Sequence, residues 1–312
     1  MLKLEDIGFL EIIEERAKGI GGGKISYCEW IITSNCNFGC PYCNRLENKD
    51  LGIEKIGKII EILRDNGCKY IHLTGGEPTT RGDLFEIIGK IREAGIRVGI
   101  STNGSKDLEY YKELVRKGVE LFSISLDVHR GELNKKFTMV GNIFDIVVGN
   151  IRELSKIVYV NVGIVFNDNN IGEYREIIKY ISELGVGDIR IMTATQYNKV
   201  GKYEIGEEIL GKHPILRYRV ENFNKGKNMR GSGLAKTGKC HLVRDDITIY
   251  GEEYYSCAVY VREGGECIGN IFSGIDREGW YRGHDSHGDE ICREYCMDFK
   301  CRFNDRVEEL VG

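Results

Sequence analysis

The sequence predicts an α/β protein, a partial, TIM-like (β/α)6 barrel followed by a small C-terminal α+β extension. Three observations predict it. Between residues 24 and 192, short β-branched runs alternate with longer segments whose apolar residues recur at helical spacing, as in successive βα units around a parallel sheet. Amphipathic segments such as "EKIGKIIEILRDNG" and "YREIIKYISELG" end in glycine, the residue that accepts a left-handed backbone just past a helix. After residue 192 the alternation fades, and cysteines become dense in the last quarter.

Taken in order, residues 1–23 read as an amphipathic accessory helix and a flexible joint, "GIGGGK". Residues 24–192 hold the strands "YCEWIITS", "KYIHLTG", "IRVGIST", "VELFSISLD", "IVYVNVGIVF" and "DIRIMTA". Right-handed crossovers curl such units into an open barrel whose working face lies at the strand C-termini. Residues 193–230 form a bridge, polar and glycine-containing at first and then helical in "ILRYRVENFNKG". The extension, 231–312, opens on a strand pair, "DDITIYGEEYYSCAVY", in which "YGEE" closes a hairpin.

A chain of 312 residues can bury a sizeable core. Its net charge of -4 supplies no basic field for nucleic acid or an anionic membrane, so neither is an expected partner. No stretch has the ~20 apolar residues that cross a bilayer, and the N-terminus lacks the apolar core of a signal peptide. The expected location is cytoplasmic. In that reducing compartment eleven cysteines point to metal or catalysis rather than disulfides. Cys36, Cys40 and Cys43 follow the first strand, while Cys240, Cys257, Cys267, Cys292, Cys296 and Cys301 fill the last quarter, so two metal loci are expected. Cys28 and Cys68 read as small buried hydrophobes.

The stretch "SNCNFGCPYCN" offers three thiolates, enough for three irons of a [4Fe–4S] cluster with the fourth left open; a zinc completed by a remote ligand is the alternative. In "LTGGEPTTRGDL", Gly75 and Gly76 permit close approach to a ligand, Glu77 offers an acceptor for an ammonium group, and Pro78 stiffens the turn. Ser101 and Asn103 in "ISTNGSKD", with Ser125 and Asp127 in "SISLDVH", are short polar groups at strand ends, suited to a ribose and a carboxylate. His129 and Arg130, just beyond, are the substrate-contact candidates, whereas His72 reads as a core histidine and Asn167 as a loop asparagine. Arg190, Gln196, Arg230 and Lys236 are candidates to line an entrance suited to an anionic or carbohydrate-like ligand.

Cys36-x3-Cys40-x2-Cys43, with Tyr42 before the last cysteine and the GGEP turn downstream, resembles the signature of the radical S-adenosylmethionine (SAM) enzymes. The resemblance implies a [4Fe–4S] cluster on the three cysteines, chelated at its open iron by the amino and carboxylate groups of SAM. Reductive cleavage would then yield a 5'-deoxyadenosyl radical that abstracts hydrogen from substrate. It also implies that Tyr42, Gly75, Gly76, Glu77, Pro78, Ser101, Asn103, Ser125 and Asp127 surround SAM, and that a flavodoxin- or ferredoxin-type donor supplies the electron.

The C-terminal cysteines, with the "GNI" of "ECIGNIFSG", resemble the SPASM and shorter twitch extensions of that family. A full SPASM run is C-x2-C-x5-C-x3-C; this chain has gaps of three and four residues and no cysteine after Cys301. The resemblance therefore implies one auxiliary [4Fe–4S] cluster on Cys240, Cys257 and two of Cys292, Cys296 and Cys301, with Cys267 a spare or replacement; a structural zinc knuckle is the alternative. The expected function is radical-initiated net oxidation of a small polar metabolite. Peptide or protein side-chain modification is the alternative, and an iron–sulfur electron carrier or a zinc-stabilised binding module are the non-enzymatic ones.

Overall fold

Strand β1 (Tyr27–Thr33) lies at the middle of the sheet and receives neighbours from both halves of the chain. On one side stand β2 (Tyr70–Gly75), β3 (Arg97–Thr102), β4 (Val119–Ser125), β5 (Tyr159–Phe166) and β6 (Asp188–Thr193), all parallel and in chain order. The computed structural model describes residues 23–194, 201–227, 229–231 and 236–311. The expected accessory helix, the joint up to residue 22, and Gln196 lie outside the described residues. Connecting helices are α1 (Ile53–Asp65), α2 (Leu84–Glu93), α3 (Leu108–Arg116), α4 (Gly131–Thr138), α5 (Phe144–Leu154) and α6 (Tyr174–Ser182). Gly67 and Gly185, just after α1 and α6, have φ of +81° and +82°, the left-handed turn the sequence calls for.

Side-chain alternation along the strands separates two environments. Cys28, Trp30, Ile32, Ile71, Leu73, Val98 and Ile100 face the helices and join one core with Ile56, Ile59, Ile60, Leu63, Ile87 and Ile91. The intervening residues, among them Glu29, His72, Ser101, Ser123, Asn161 and Arg190, face the opposite side and give the barrel a polar lumen. Burial of the apolar face drives the sheet to curl, since each large aliphatic side chain contributes about 1.5–3 kcal/mol.

On the other side of β1, β7 (Asp246–Tyr250) pairs parallel to it, and β8 (Glu253–Tyr255) and β9 (Gly269–Asn270) continue antiparallel. The sheet is open, nine-stranded, in the order β6-β5-β4-β3-β2-β1-β7-β8-β9. The hairpin does close at Tyr250 and Glu253, and it extends the barrel sheet itself. The bridge contributes α7 (Glu207–Lys212) and α8 (Pro214–Asn224). The extension adds α9 (Ala258–Arg262), α10 (Arg277–Gly283), α11 (Glu290–Tyr295) and α12 (Asp298–Val311). Buried Arg219 of α8 pairs with Asp298 of α12, whose other oxygen accepts from Asn222 at 3.0 Å. Among the described residues no helix is long and apolar enough to cross a membrane.

Candidate active site

The cysteine loop leaves the end of β1 and is held from five directions. Asp50 grips its start: Thr33 Oγ1 donates to the carboxylate at 2.6 Å and Ser34 N at 3.0 Å. Arg81, from the turn after β2, donates to the Ile32 and Leu51 carbonyls at 2.8 and 2.9 Å. Asn103 Nδ2 donates to Asn37 Oδ1 at 2.8 Å, and Gly39 N donates to Thr138 O at the end of α4, also at 2.8 Å. Tyr42 donates its phenol to Asp127. Cys36, Cys40 and Cys43 then line one cavity of about 410 Å³, counted to its open mouth, together with Gly75 and Gly76. Burial pushes the Cys40 thiol up to about 11, with the Asp127 charge adding to it, and burial likewise raises Cys36. Such thiols bind metal by exchanging their protons for cationic charge, and three of them around one concavity suit a cluster with an open corner.

The GGEP turn ties the chain's own loops together. A Cβ on Gly75, whose φ is +146°, would stand 2.1 Å from Thr33 O, and one on Gly76 2.3 Å from Asn35 O. The close approach that requires glycine is thus to the chain's own cysteine loop, sealed by Gly76 N→Thr33 O and Glu77 N→Asn35 O at 2.8 Å. The Glu77 carboxylate, 1 % exposed, is already engaged. Its Oε1 accepts from Thr79 N at 3.0 Å, Thr79 Oγ1 at 2.7 Å and Thr102 Oγ1 at 2.8 Å, while Oε2 accepts from Asn103 N at 2.6 Å. Glu77 therefore ties the β2 turn to the β3 loop. Pro78, buried, starts the single 3-10 turn that aims Thr79 back at this carboxylate.

The remaining first-locus candidates separate. Asp127 is 7 % exposed and also accepts from Val165 N at 2.7 Å; burial pushes its carboxyl up to about 6 despite these donors. Ser125 is exposed at the end of β4, whereas Ser101 points into the lumen and meets His72 Nε2 at 2.7 Å. Burial lowers the His72 imidazole to about 3, keeping it neutral. His129 and Arg130 both face Glu173, the histidine at 3.5 Å. Asn167 closes a local turn, accepting from Asn169 N at 2.9 Å. Arg190 reaches across the lumen to Ser123 Oγ at 3.1 Å, and its buried Nε has no hydrogen-bond partner. Arg230 is half-buried, and Lys236 pairs at the surface with Glu309 at 2.9 Å, away from both cysteine cavities. Cys28 and Cys68 are core residues, as expected.

A second cavity, about 530 Å³ to its mouth, is lined by Cys240, Cys257, Cys292, Cys296 and Cys301. These come from the loop before β7, the start of α9, α11, the α11–α12 junction and α12. Cys301, 3 % exposed, sits behind Cys296 with its sulfur 3.6 Å away, while Cys267 is exposed and off the cavity. Among the described residues, the one group of ligand atoms all within 4.8 Å of each other is His284, Asp289 and Cys292. Apart from the Cys296–Cys301 pair, no three of these thiols come within 4.8 Å of one another, whereas Zn–S bonds of ~2.3 Å place the sulfurs of a zinc site within about 4 Å. Burial pushes Cys240 up to about 12, with Cys257 and Cys296 reinforcing it. Lys300 lines the same cavity; burial opposes its charge, but Cys257, Glu29, Cys296 and Asp246 outweigh that and raise its pKa.

Sequence reasoning missed Asp50, Arg81, Thr102 and Lys300. Each acts through a partner distant in sequence, and none carries a local signature.

Comparison with known proteins agrees with this geometry. Residues 30–181 match the radical SAM superfamily model. A probable GTP 3',8-cyclase of Thermococcus kodakarensis is 30 % identical over 162 residues, 49 % of this chain and 52 % of that protein. One from Saccharolobus islandicus is 32 % identical over 203 residues, 62 % of this chain and 63 % of that protein. The chain thus spans roughly half to two thirds of the length of these curated relatives. In fold it is similar to anSMEcpe with bound AdoMet, with a TM-score of 0.63, 18 % identity, and coverage of 92 % of this chain and 96 % of that one. Streptococcus suis SuiB bound to precursor peptide SuiA gives 0.58 at 15 % identity, covering 83 % of this chain and 65 % of that one. Over residues 30–181 the chain is therefore similar to the radical SAM superfamily, in sequence as in fold.

Proposed function

We propose that this protein is a two-cluster radical SAM enzyme that dehydrogenates a small, polar, anionic metabolite held in the barrel lumen. The observation that carries the reading is the pair of separate cysteine-lined cavities, one at the end of β1 and one at the start of α9. Cys36, Cys40 and Cys43 would hold the first cluster, with SAM against Gly75, Gly76, Asn103, Ser125, Asp127 and Tyr42. Cys240, Cys257, Cys292 and Cys296 would hold the auxiliary cluster, with Cys301 behind Cys296. That no three of these thiols come within 4.8 Å of one another favours a cubane over a single zinc. When bound, these groups supply one-electron cleavage of SAM, hydrogen-atom abstraction by the resulting 5'-deoxyadenosyl radical, and a sink for the electron that the substrate radical loses with a proton.

The chain's own residues orient and exclude. Arg190 presents an unsatisfied buried donor to the lumen, a natural partner for a carboxylate or phosphate on the substrate. Neutral His72 and Ser101 offer hydrogen bonds without charge. The names of the curated relatives favour a second reading, rearrangement of a nucleotide triphosphate, which the same lumen arginine suits.

The test is anaerobic reconstitution followed by iron and sulfide counting, then incubation with SAM, a reductant and candidate substrates including GTP. About eight irons and 5'-deoxyadenosine formation are expected. A product two mass units below its substrate supports dehydrogenation, and one of unchanged covalent mass from GTP supports rearrangement. Zinc at the first locus, or no 5'-deoxyadenosine from the loaded protein, refutes the proposal.

A further inference from the structure

The C-terminal extension reaches the three-cysteine cavity through one side chain. Helix α9 begins directly after Cys257, on the second cavity, and ends at Arg262, which lines the first. Its short rise of about 1.5 Å per residue spans the gap between them. Val261, 6 % exposed, fixes the helix by packing with Ile31 of β1, Tyr250 and Tyr255, against Leu46 from the segment just after Cys43. The end of α9 is closed by Glu263 N→Val259 O at 3.0 Å and Gly265 N→Tyr260 O at 2.8 Å, with Gly264 at a φ of +77°. Arg262 is thereby held over the cysteine loop by its neighbour's packing rather than by its own contacts.

The cavity has two cationic side chains, Arg45 and Arg262. Arg45 spends its guanidinium on the chain itself, donating to Phe38 O at 2.7 Å. Arg262 is half-buried and makes no hydrogen bond or ion pair with the described residues. A guanidinium fork aimed into a concavity lined with thiols and turn backbone, with no carboxylate among the lining residues, is built to meet negative charge brought by a ligand.

We propose that Arg262 binds an anionic group in the three-cysteine cavity, so that the extension completes the first site. The inference rests on the radical SAM reading, which supplies two such groups: the thiolate-ligated cluster and the carboxylate of SAM. In either case the auxiliary extension and the radical-generating site are linked mechanically, through a helix with Cys257 at one end and Arg262 at the other.

The test compares the wild type with R262M and R262K after anaerobic reconstitution, using two readouts that need no substrate. One is the SAM dissociation constant, from the change SAM causes in the spectrum of the reduced cluster. The other is the midpoint potential of the SAM-free first cluster. If the partner is the carboxylate, R262M weakens SAM binding about tenfold or more and R262K recovers only part of it, because an ammonium cannot fork. If the partner is the cluster, R262M moves the potential to more negative values and R262K restores it. Should R262M not retain iron, R262Q carries the same comparison. Unchanged affinity together with unchanged potential overturns the inference while leaving the radical SAM reading intact; a wild type that binds iron but never responds to SAM overturns the reading itself.

Discussion

Glu77 is the sharpest test of how the first site is built. Its four accepted hydrogen bonds include two from main-chain N–H groups, Thr79 at 3.0 Å and Asn103 at 2.6 Å, in a place 1 % exposed. In Glu77→Gln one amide oxygen can serve the three donors at Oε1, but the NH2 then confronts Asn103 N–H, donor against donor. A buried unsatisfied N–H costs about 1–3 kcal/mol. Part of this is returned, because burial raises the Glu77 pKa and an amide carries no charge to desolvate. The expected loss is therefore about 1–2 kcal/mol for Gln. For Ala, which orphans both main-chain donors, it is about 2–6 kcal/mol. Against a total of about 5–15 kcal/mol that is a large share. Anaerobic urea unfolding, followed by tryptophan fluorescence with m held common, measures both. The cysteines themselves are untouched, so iron content at low temperature should hold while SAM affinity falls. If both variants unfold within about 0.5 kcal/mol of wild type, Glu77 does not tie the β2 turn to the β3 loop as argued here.

Cys40→Ala should abolish 5'-deoxyadenosine formation, whereas Cys257→Ala should lose about half the iron and substrate turnover but keep some SAM cleavage; full turnover in the second variant would remove the auxiliary cluster from the mechanism. Asp188, 0 % exposed, has its carboxyl pushed up from an ordinary 3.8 to about 6 by burial, against the opposing N–H donors of Ile215 and Ile189 at 3.0 and 2.8 Å. A folded-state value above the unfolded one means stability that is full below about 4 and is lost as pH rises through about 6, a fall of about 3 kcal/mol. Urea unfolding at pH 4.5, 5.5 and 7 should show that slope flattened in Asp188→Asn, and an identical slope in both proteins would refute it. Asp298→Ala strands the Arg219 guanidinium, 2 % exposed, and should cost about 3–5 kcal/mol by the same assay, with Arg219→Met/Asp298→Leu recovering most of it. Failure of the double variant to recover would mean that the pair is not compensating within itself.

The six parallel strands and the helices α1 and α6 were legible because period-two and period-3.6 patterns, and a glycine after each helix, are written in contiguous residues. The cysteine triplet was legible for the same reason: a loop that must present three thiolates together draws them from within a few residues. Other features lacked any local pattern. Gly75 and Gly76 announced a close approach, but whether a ligand or the chain's own backbone arrives there depends on the Ser34–Asn35 segment packing across from β1. The hairpin's place beside β1 is a pairing across more than 200 residues, which alternation within the hairpin cannot specify.

Local patterning by itself determined the barrel class, the thiol triplet and the density of cysteines near the C-terminus, since each follows from spacing along a short stretch. Convergence belongs to the tertiary structure. It chose which late cysteines share a wall, gave Glu77's oxygens to Thr79, Thr102 and Asn103, and delivered Arg262 to the triplet. The physical reason is that these contacts satisfy charge and hydrogen bonds among groups far apart in the chain, and only the burial of the apolar faces brings them within reach.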